Sequence, residues 1–283
     1  MAGRSAPRVR RVRVASELRR LREHAGMTAT EAARVLGTSQ GQLSNVETAR
    51  FGVSAARIRA MARSYDCSDQ DFIDALVAMA EDRTRGWWEE YREILPVGLL
   101  DLAEVEHHAT LLRTAVTVHI PGLFQTTDYA REIFRQSVPE LSPPDIEHRI
   151  SYRIKRQAVL FRESPTPHQA IIHEAALRMQ FGGPTVTRTQ LKHLIDMSER
   201  EHVTIHVIPF AAGTFPGSGQ SIYYAAGPVP QLDTVNLDQS HGPVFLDAEA
   251  QLDKYRVLLD RMEATALPPT KSREFIHHIV QDL

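Results

Sequence analysis

Cysteine is almost missing: Cys67 is the only one in 283 residues. One thiol closes no intramolecular disulfide and builds no multi-cysteine zinc site. Aromatic residues are sparse, at 7%. No run approaches the ~20 apolar residues a membrane-spanning helix needs, and the arginine-rich start lacks the apolar stretch of a secretory signal. Net charge is also small, −2, against 42% apolar and 24% charged residues, which excludes a chain disordered throughout. At roughly 100–200 residues per domain, the length implies about two domains, each able to bury a core. The expectation is a soluble, cytoplasmic protein with no membrane association.

The charge that is present is unevenly placed. Residues 1–63 hold thirteen arginines against Glu17, Glu23, Glu31 and Glu47, an excess of nine positive charges. The remainder carries twenty basic and thirty-one acidic residues. A basic head on an acidic body suggests that one end meets a polyanion while the other does something else. A merely solvated basic surface is the plainer alternative.

Residues 1–13 (MAGRSAPRVRRVR) have no apolar periodicity and five arginines, Arg10, Arg11 and Arg13 among them, and read as a flexible basic arm. Five short helical patterns follow over residues 14–81. Val14, Leu18, Leu21 and Arg22 share the face of the first, which stops at Ala25-Gly26. Thr28-Ala29-Thr30-Glu31 has capping-box spacing and opens a helix reaching Leu36. Gly37 ends it, and Ser39 caps another from Gln40 to Thr48. Patterns at 54–65 and 69–80 complete an all-α domain. A linker is expected at 82–86, with Trp87-Trp88 anchoring the first helix of the body, residues 87–283. There, β-rich runs at 115–120, 169–173, 203–208, 221–225, 234–237 and 244–246 mix irregularly with helical patterns at 128–137, 145–163, 187–200, 248–264 and 272–282. The expected fold class is therefore an all-α N-terminal helix-turn-helix domain of five helices plus a larger α+β C-terminal domain.

Residues 28–48 carry the functional expectation. Helix, Gly37-Thr38-Ser39 turn, helix is the helix-turn-helix arrangement, with Ala33 small at the helix crossing and Val35, Leu36, Leu43 and Val46 as the buried side. The second helix then presents Gln40, Gly41, Gln42, Ser44 and Asn45 at its outward tip. Gln and Asn amides donate and accept at once, which suits the N6/N7 edge of adenine in the major groove. Helix N-termini and hydroxyls, here Thr28 and Ser39, suit phosphate oxygens, and the basic excess attracts any duplex.

The stretches Gly26-Met27-Thr28, Glu31-Ala32-Ala33, Leu36-Gly37-Thr38-Ser39-Gln40 and Leu43-Ser44-Asn45-Val46-Glu47 together resemble the Cro/CI-type (XRE) helix-turn-helix signature. The resemblance spans nearly all of residues 15–65. It implies an ion pair between Arg22 and Glu47, base contacts from Gln40, Gly41, Ser44 and Asn45, and phosphate approach by Ser39 and Arg50. Two positions depart from it: Ala29 replaces a glutamine that contacts the DNA backbone, and Ala49 replaces the glycine that ends the recognition helix. Arm residues Arg10, Arg11 and Arg13 are expected to follow phosphates or an adjacent minor groove.

The body is similar to the C-terminal domain of actinobacterial XRE regulators, a domain of unknown function often described as antitoxin-like. The resemblance rests on His119-Ile120-Pro121-Gly122-Leu123-Phe124-Gln125-Thr126, Tyr129-Ala130-Arg131, Arg156-Gln157, His173-Glu174-Ala175-Ala176-Leu177 and Val207-Ile208-Pro209-Phe210. It implies a small partner protein encoded by a neighbouring gene. Double-stranded DNA and a second copy of the chain are the other expected partners.

Sharper chemistry fares poorly. His173-Glu174 begins a zinc-protease motif, but position 177 is Leu177 rather than the second histidine. Glu104, Glu106, His107 and His108, or His202 with His206, lack a third placed ligand, so no metal is expected. Gly213–Gly219 fits neither a phosphate loop nor a dinucleotide fingerprint, and Gly217-Ser218-Gly219 is no nucleophile elbow. It reads as a loop between strands. No cofactor and no enzymatic activity are expected. Tyr129, Tyr152, Phe210, Phe215, Tyr223 and Tyr224 fill a core or line the pocket of a small-molecule sensor.

Overall fold

The computed structural model describes residues 9–239 and 242–283. The chain divides into two compact units, Met1–Gly86 and Trp87–Leu283. In the first, the described residues form α1 (Val9–His24), α2 (Ala29–Val35), α3 (Gln40–Glu47), α4 (Ala55–Ser64) and α5 (Gln70–Glu81).

Local chemistry sets most of these boundaries. α1 stops because Gly26 adopts φ +67°, and the amides of Gly26 and Met27 turn back to the carbonyls of Glu23 and Arg22. α2 begins at a complete capping box: the Glu31 amide donates to the Thr28 hydroxyl, and the Thr28 amide donates to the Glu31 carboxylate. Gly37, at φ +60°, ends it in the same way as Gly26 ends α1. Ser39 and Gln42 form a second capping box at the start of α3. The helices enclose Val14, Leu18, Ala33, Leu43, Ile58, Met61 and Leu76, all buried. Removing a side chain such as Leu43 from water contributes about 2 kcal/mol.

Two expectations fail here. The arm over residues 1–13 does not persist to its end, because Val9–Arg13 form the first turns of α1; residues 1–8 of that arm lie outside the described residues. Arg13 is buried, with its Nε 2.8 Å from the Glu17 carboxylate one turn on, and Arg20 reaches the same carboxylate. A basic run thus becomes helix by pairing with one acid inside it. Val35, assigned to the buried side, is 53% exposed, while Leu36 and Val46 are half-buried. The crossing of α2 and α3 closes on Ala32, Ala33 and Leu43 instead.

The second unit is α+β. Its six-stranded sheet has the order β3-β2-β1-β4-β5-β6, comprising β1 (Leu111–Val116), β2 (His168–His173), β3 (Val203–Ile208), β4 (Ile222–Ala226), β5 (Thr234–Gln239) and β6 (Gly242–Leu246). β1, β2 and β3 are parallel; β4, β5 and β6 continue antiparallel from β1. Around it lie α6 (Val97–His108), α7 (Thr127–Arg135), α8 (Pro143–Gln157), α9 (Glu174–Arg178), α10 (Gly183–Ser198), α11 (Glu249–Thr265) and α12 (Pro269–Asp282). Alternation along the strands sends Leu112, Val116, Ala170, Ile172, Ile205 and Val207 to one face, packed with Leu191 and Leu194 of α10 and Ile276 of α12. The other face presents Ala115, Ile171, Tyr224, Val235 and Leu237 to Leu252, Leu259 and Met262 of α11. Trp88, in a short 3₁₀ turn, Trp87–Tyr91, is buried against Leu100 and Ala103 of α6, so the tryptophan pair anchors the first helix of this unit as expected.

Candidate nucleic-acid interface

The tip of α3 is built on a rigid base. The Arg22 guanidinium donates through Nε to Glu47 Oε1 at 2.7 Å and through Nη2 to Oε2 at 2.9 Å. Its Nη1 donates to the Met27 carbonyl at 2.8 Å. The two side chains retain only 9% and 6% of their exposure. This fork-to-fork geometry ties α1 to the far end of α3 and to the residue opening the α2 cap, so it fixes both the position and the roll of α3. Hydrogen bonding to Glu47 holds the Arg22 pKa above its ordinary value, so the guanidinium stays charged. Behind the pair, burial and the Glu47 charge push the Tyr65 phenol up to about 12, leaving it neutral.

On that base Gln40, Gly41 and Ser44 are exposed and Asn45 is half-buried. Nothing lies within 4 Å of where a Gly41 Cβ would stand. No packing in the head therefore requires glycine there, and an approaching surface can come close to the backbone. The caps split the remaining candidates. The Gln42 Oε1 accepts from the Thr38 hydroxyl at 2.6 Å and from the Ser39 amide at 3.4 Å. Gln42 therefore holds the turn, and its amide lacks the free acceptor that two-point pairing with adenine needs. The Ser39 hydroxyl accepts from the Gln42 amide at 3.2 Å and keeps its own proton to donate.

The expected phosphate contacts sort similarly. The Thr28 hydroxyl donates to the Glu31 carboxylate at 2.7 Å while accepting from the Glu31 amide, so it is fully used and stands beside a negative charge. Arg13 is buried against Glu17, and Arg10 lies 3.7 Å from Asp82. Arg11 is exposed and donates to the Arg50 carbonyl at 2.8 Å, which places the start of α1 beside the loop after α3. The exposed Arg50 guanidinium has no partner among the described residues. The Arg11–Arg50 contact had no local signal in sequence. Counted over residues 1–86, fifteen arginines face ten acidic residues, so the head keeps a positive excess of five.

Ala49 occupies the left-handed region at φ +57° with its methyl buried. The loop thus follows the path a glycine would take, at a steric cost of roughly 1–2 kcal/mol.

The second unit holds a different kind of site, a cavity of about 350 Å³ between the helix-covered sheet face and α6, α7 and α8. Register places Thr114, Tyr223 and Asn236 side by side across β1, β4 and β5 on that face. Above them Arg156 and Glu106 form a buried two-bond ion pair. His202 and His206, once candidate ligands, each hydrogen-bond a main-chain carbonyl, of Leu160 and Leu267.

A family model of a helix-turn-helix domain matches residues 13–76. A second, described as Domain of unknown function (DUF5753), matches residues 99–278. No curated protein and no solved structure matches the chain.

Proposed function

Because the chain belongs to the family described as domain of unknown function DUF5753 and carries a helix-turn-helix domain ahead of it, we propose that it is a sequence-specific transcriptional regulator of double-stranded DNA. α3 enters the major groove, where Gln40, Gly41, Ser44 and Asn45 meet base edges while Ser39 and Arg50 hold phosphates. The observation that carries this reading is the bare, amide-bearing tip of α3, held by the Arg22–Glu47 clamp and free of packing at Gly41. The basic excess of the head supplies the attraction common to all sequences.

An eight-residue helix reads only a few base pairs, so the regulator works as a homodimer on half-sites ~34–36 Å apart. It acts in the cytoplasm, without catalysis of its own. The resemblance to XRE regulators with antitoxin-like bodies supports control by a small partner protein. The alternative input, a small molecule, is favoured by the polar-lined cavity of the second unit. Selection of random duplexes by the full chain, followed by sequencing, tests the reading: paired half-sites about one helical turn apart are expected to be enriched. No enrichment over input, or a monomer on the selected DNA by sedimentation, overturns it.

A further inference from the structure

The polar groups around the second-unit cavity exceed what the domain itself uses. Arg149, Arg153 and Arg156 stand at i, i+4 and i+7 on α8, so one helix face presents three guanidinium groups, and all three line the cavity. Arg156 is neutralised by Glu106. Arg149 and Arg153 have no carboxylate within ion-pair distance among the described residues. The Arg153 Nη1 donates to the neutral Gln125 amide oxygen, and its guanidinium lies 4.8 Å from the centre of the Phe134 ring. Its Nε is shut off from water with no acceptor. Among the described residues that line the cavity, the one carboxylate is Asp238, which is exposed.

Opposite the arginines, the sheet contributes one more unanswered group. Asn236 is 6% exposed, and its Oδ1 has no hydrogen-bond partner. Next to it the Tyr223 hydroxyl is buried beside Glu106 and Arg156. Each buried polar group left unpaired costs about 1–3 kcal/mol, and apolar residues in these places would be cheaper. Such an arrangement is retained where something else completes it. One wall of the cavity is apolar, with Leu99, Leu102, Ile133, Phe134 and Pro243. The volume lies near the lower end of the ~300–1,000 Å³ typical of small-molecule pockets.

We infer that this cavity binds a compact organic anion, its oxyanion held between Arg149 and Arg153, a hydroxyl or amino donor on Asn236 Oδ1, and an apolar body against the Leu99–Phe134 wall. Carboxylates and phosphate monoesters share this chemistry. The ligand would be the signal for the regulator proposed above, but its binding is measured without DNA, so either idea can fail alone.

The test is calorimetric titration of the full chain with phenylacetate, 4-hydroxyphenylacetate, hexanoate and phenyl phosphate, each acid paired with a neutral counterpart such as phenylacetamide or hexanamide. At least one acid is expected to bind saturably, with its neutral counterpart at least tenfold weaker. Whichever oxyanion binds tighter identifies the ligand's head group. Arg153→Gln is expected to weaken binding at least tenfold. Arg149→Gln, which alters a group without a partner in the fold, covers the case in which Arg153→Gln does not fold. The inference is overturned if no acid binds saturably, if acid and neutral counterpart bind alike, or if the folded arginine variants bind as the parent does.

Discussion

Removing the carboxylate of Glu47 is the sharpest perturbation of the head. Glu47→Ala deletes two charge-assisted hydrogen bonds, of 2.7 and 2.9 Å, and leaves the Arg22 guanidinium without its counter-ion. Breaking a buried pair from one side costs about 3–5 kcal/mol. Arg22 keeps its bond to the Met27 carbonyl and has the half-exposed Glu23 carboxylate 3.5 Å away, so the lower figure applies, about 3 kcal/mol. For a domain of this size that lowers the melting temperature by about 12–24 °C. Tryptophan emission would miss it, because Trp87 and Trp88 lie in the second unit. Hydrogen-exchange mass spectrometry on peptides spanning α2 and α3 reads it directly, and protection there is expected to fall about a hundredfold. Arg22→Met with Glu47→Leu removes both charges and is expected to recover most of the loss, a coupling of at least ~2 kcal/mol. A single-variant cost below ~1 kcal/mol, or a double variant as unstable as the summed singles, refutes the clamp.

Other outcomes follow from the same geometry. Asn45→Ala and Gln40→Ala are expected to cost ~1–3 kcal/mol on a selected site and little on unrelated duplex, whereas Arg50→Ala weakens all duplexes alike and lowers the salt slope by about one; fluorescence anisotropy across a salt series separates them. Ala49→Val places a β-branched residue at φ +57° and is expected to lose at least ~2 kcal/mol in thermal denaturation, while Ala49→Gly stays within about 1 kcal/mol of the parent, since relief of strain offsets the lost methyl and added chain entropy. Burial, and then the nearby Arg156 charge, pulls the His168 imidazole down to about 3. The unfolded chain therefore binds the extra proton between pH ~6.5 and about 3, and stability of the second unit is full above that window and falls with pH through it, at up to about 1.4 kcal/mol per pH unit. Urea unfolding followed by tryptophan emission at pH 7, 6 and 5 checks this, with a shallower slope expected for His168→Gln.

What was legible in the sequence was what is local. The α2–turn–α3 segment could be read because Thr28, Gly37 and Ser39 are caps and stops whose partners lie within five residues. The Arg22–Glu47 pair, implied by family resemblance alone, is present although twenty-five residues separate its members. Arg13 misled because its partner turns a solvated-looking run into buried helix. Gln42 looked like a base reader because composition does not reveal that Thr38 and Ser39 already hold its carbonyl. In the second unit all six strands announced themselves as alternating or β-rich runs, but β1 was expected at 115–120 and lies at Leu111–Val116. Arg113 disguised it, since its charge is answered from α11 by Asp260 and Glu263. The first helix of the body is expected but has no legible bounds for a related reason: in α6 the buried Glu106 breaks the apolar stripe and is matched by Arg156, fifty residues on. The row of Thr114, Tyr223 and Asn236 exists only once β1, β4 and β5 are in register, and strand order is not written in any single segment.

The placement of α3 is tested most directly at Gln40, whose long side chain is exposed at the start of the helix. A photo-crosslinking phenylalanine analogue placed there in the full chain, bound to a selected duplex and irradiated, is expected to join a base through its major-groove edge at one position in each half-site. Crosslinks scattered along the sugar–phosphate backbone, or to protein alone while DNA stays bound, would contradict a helix that reads the groove.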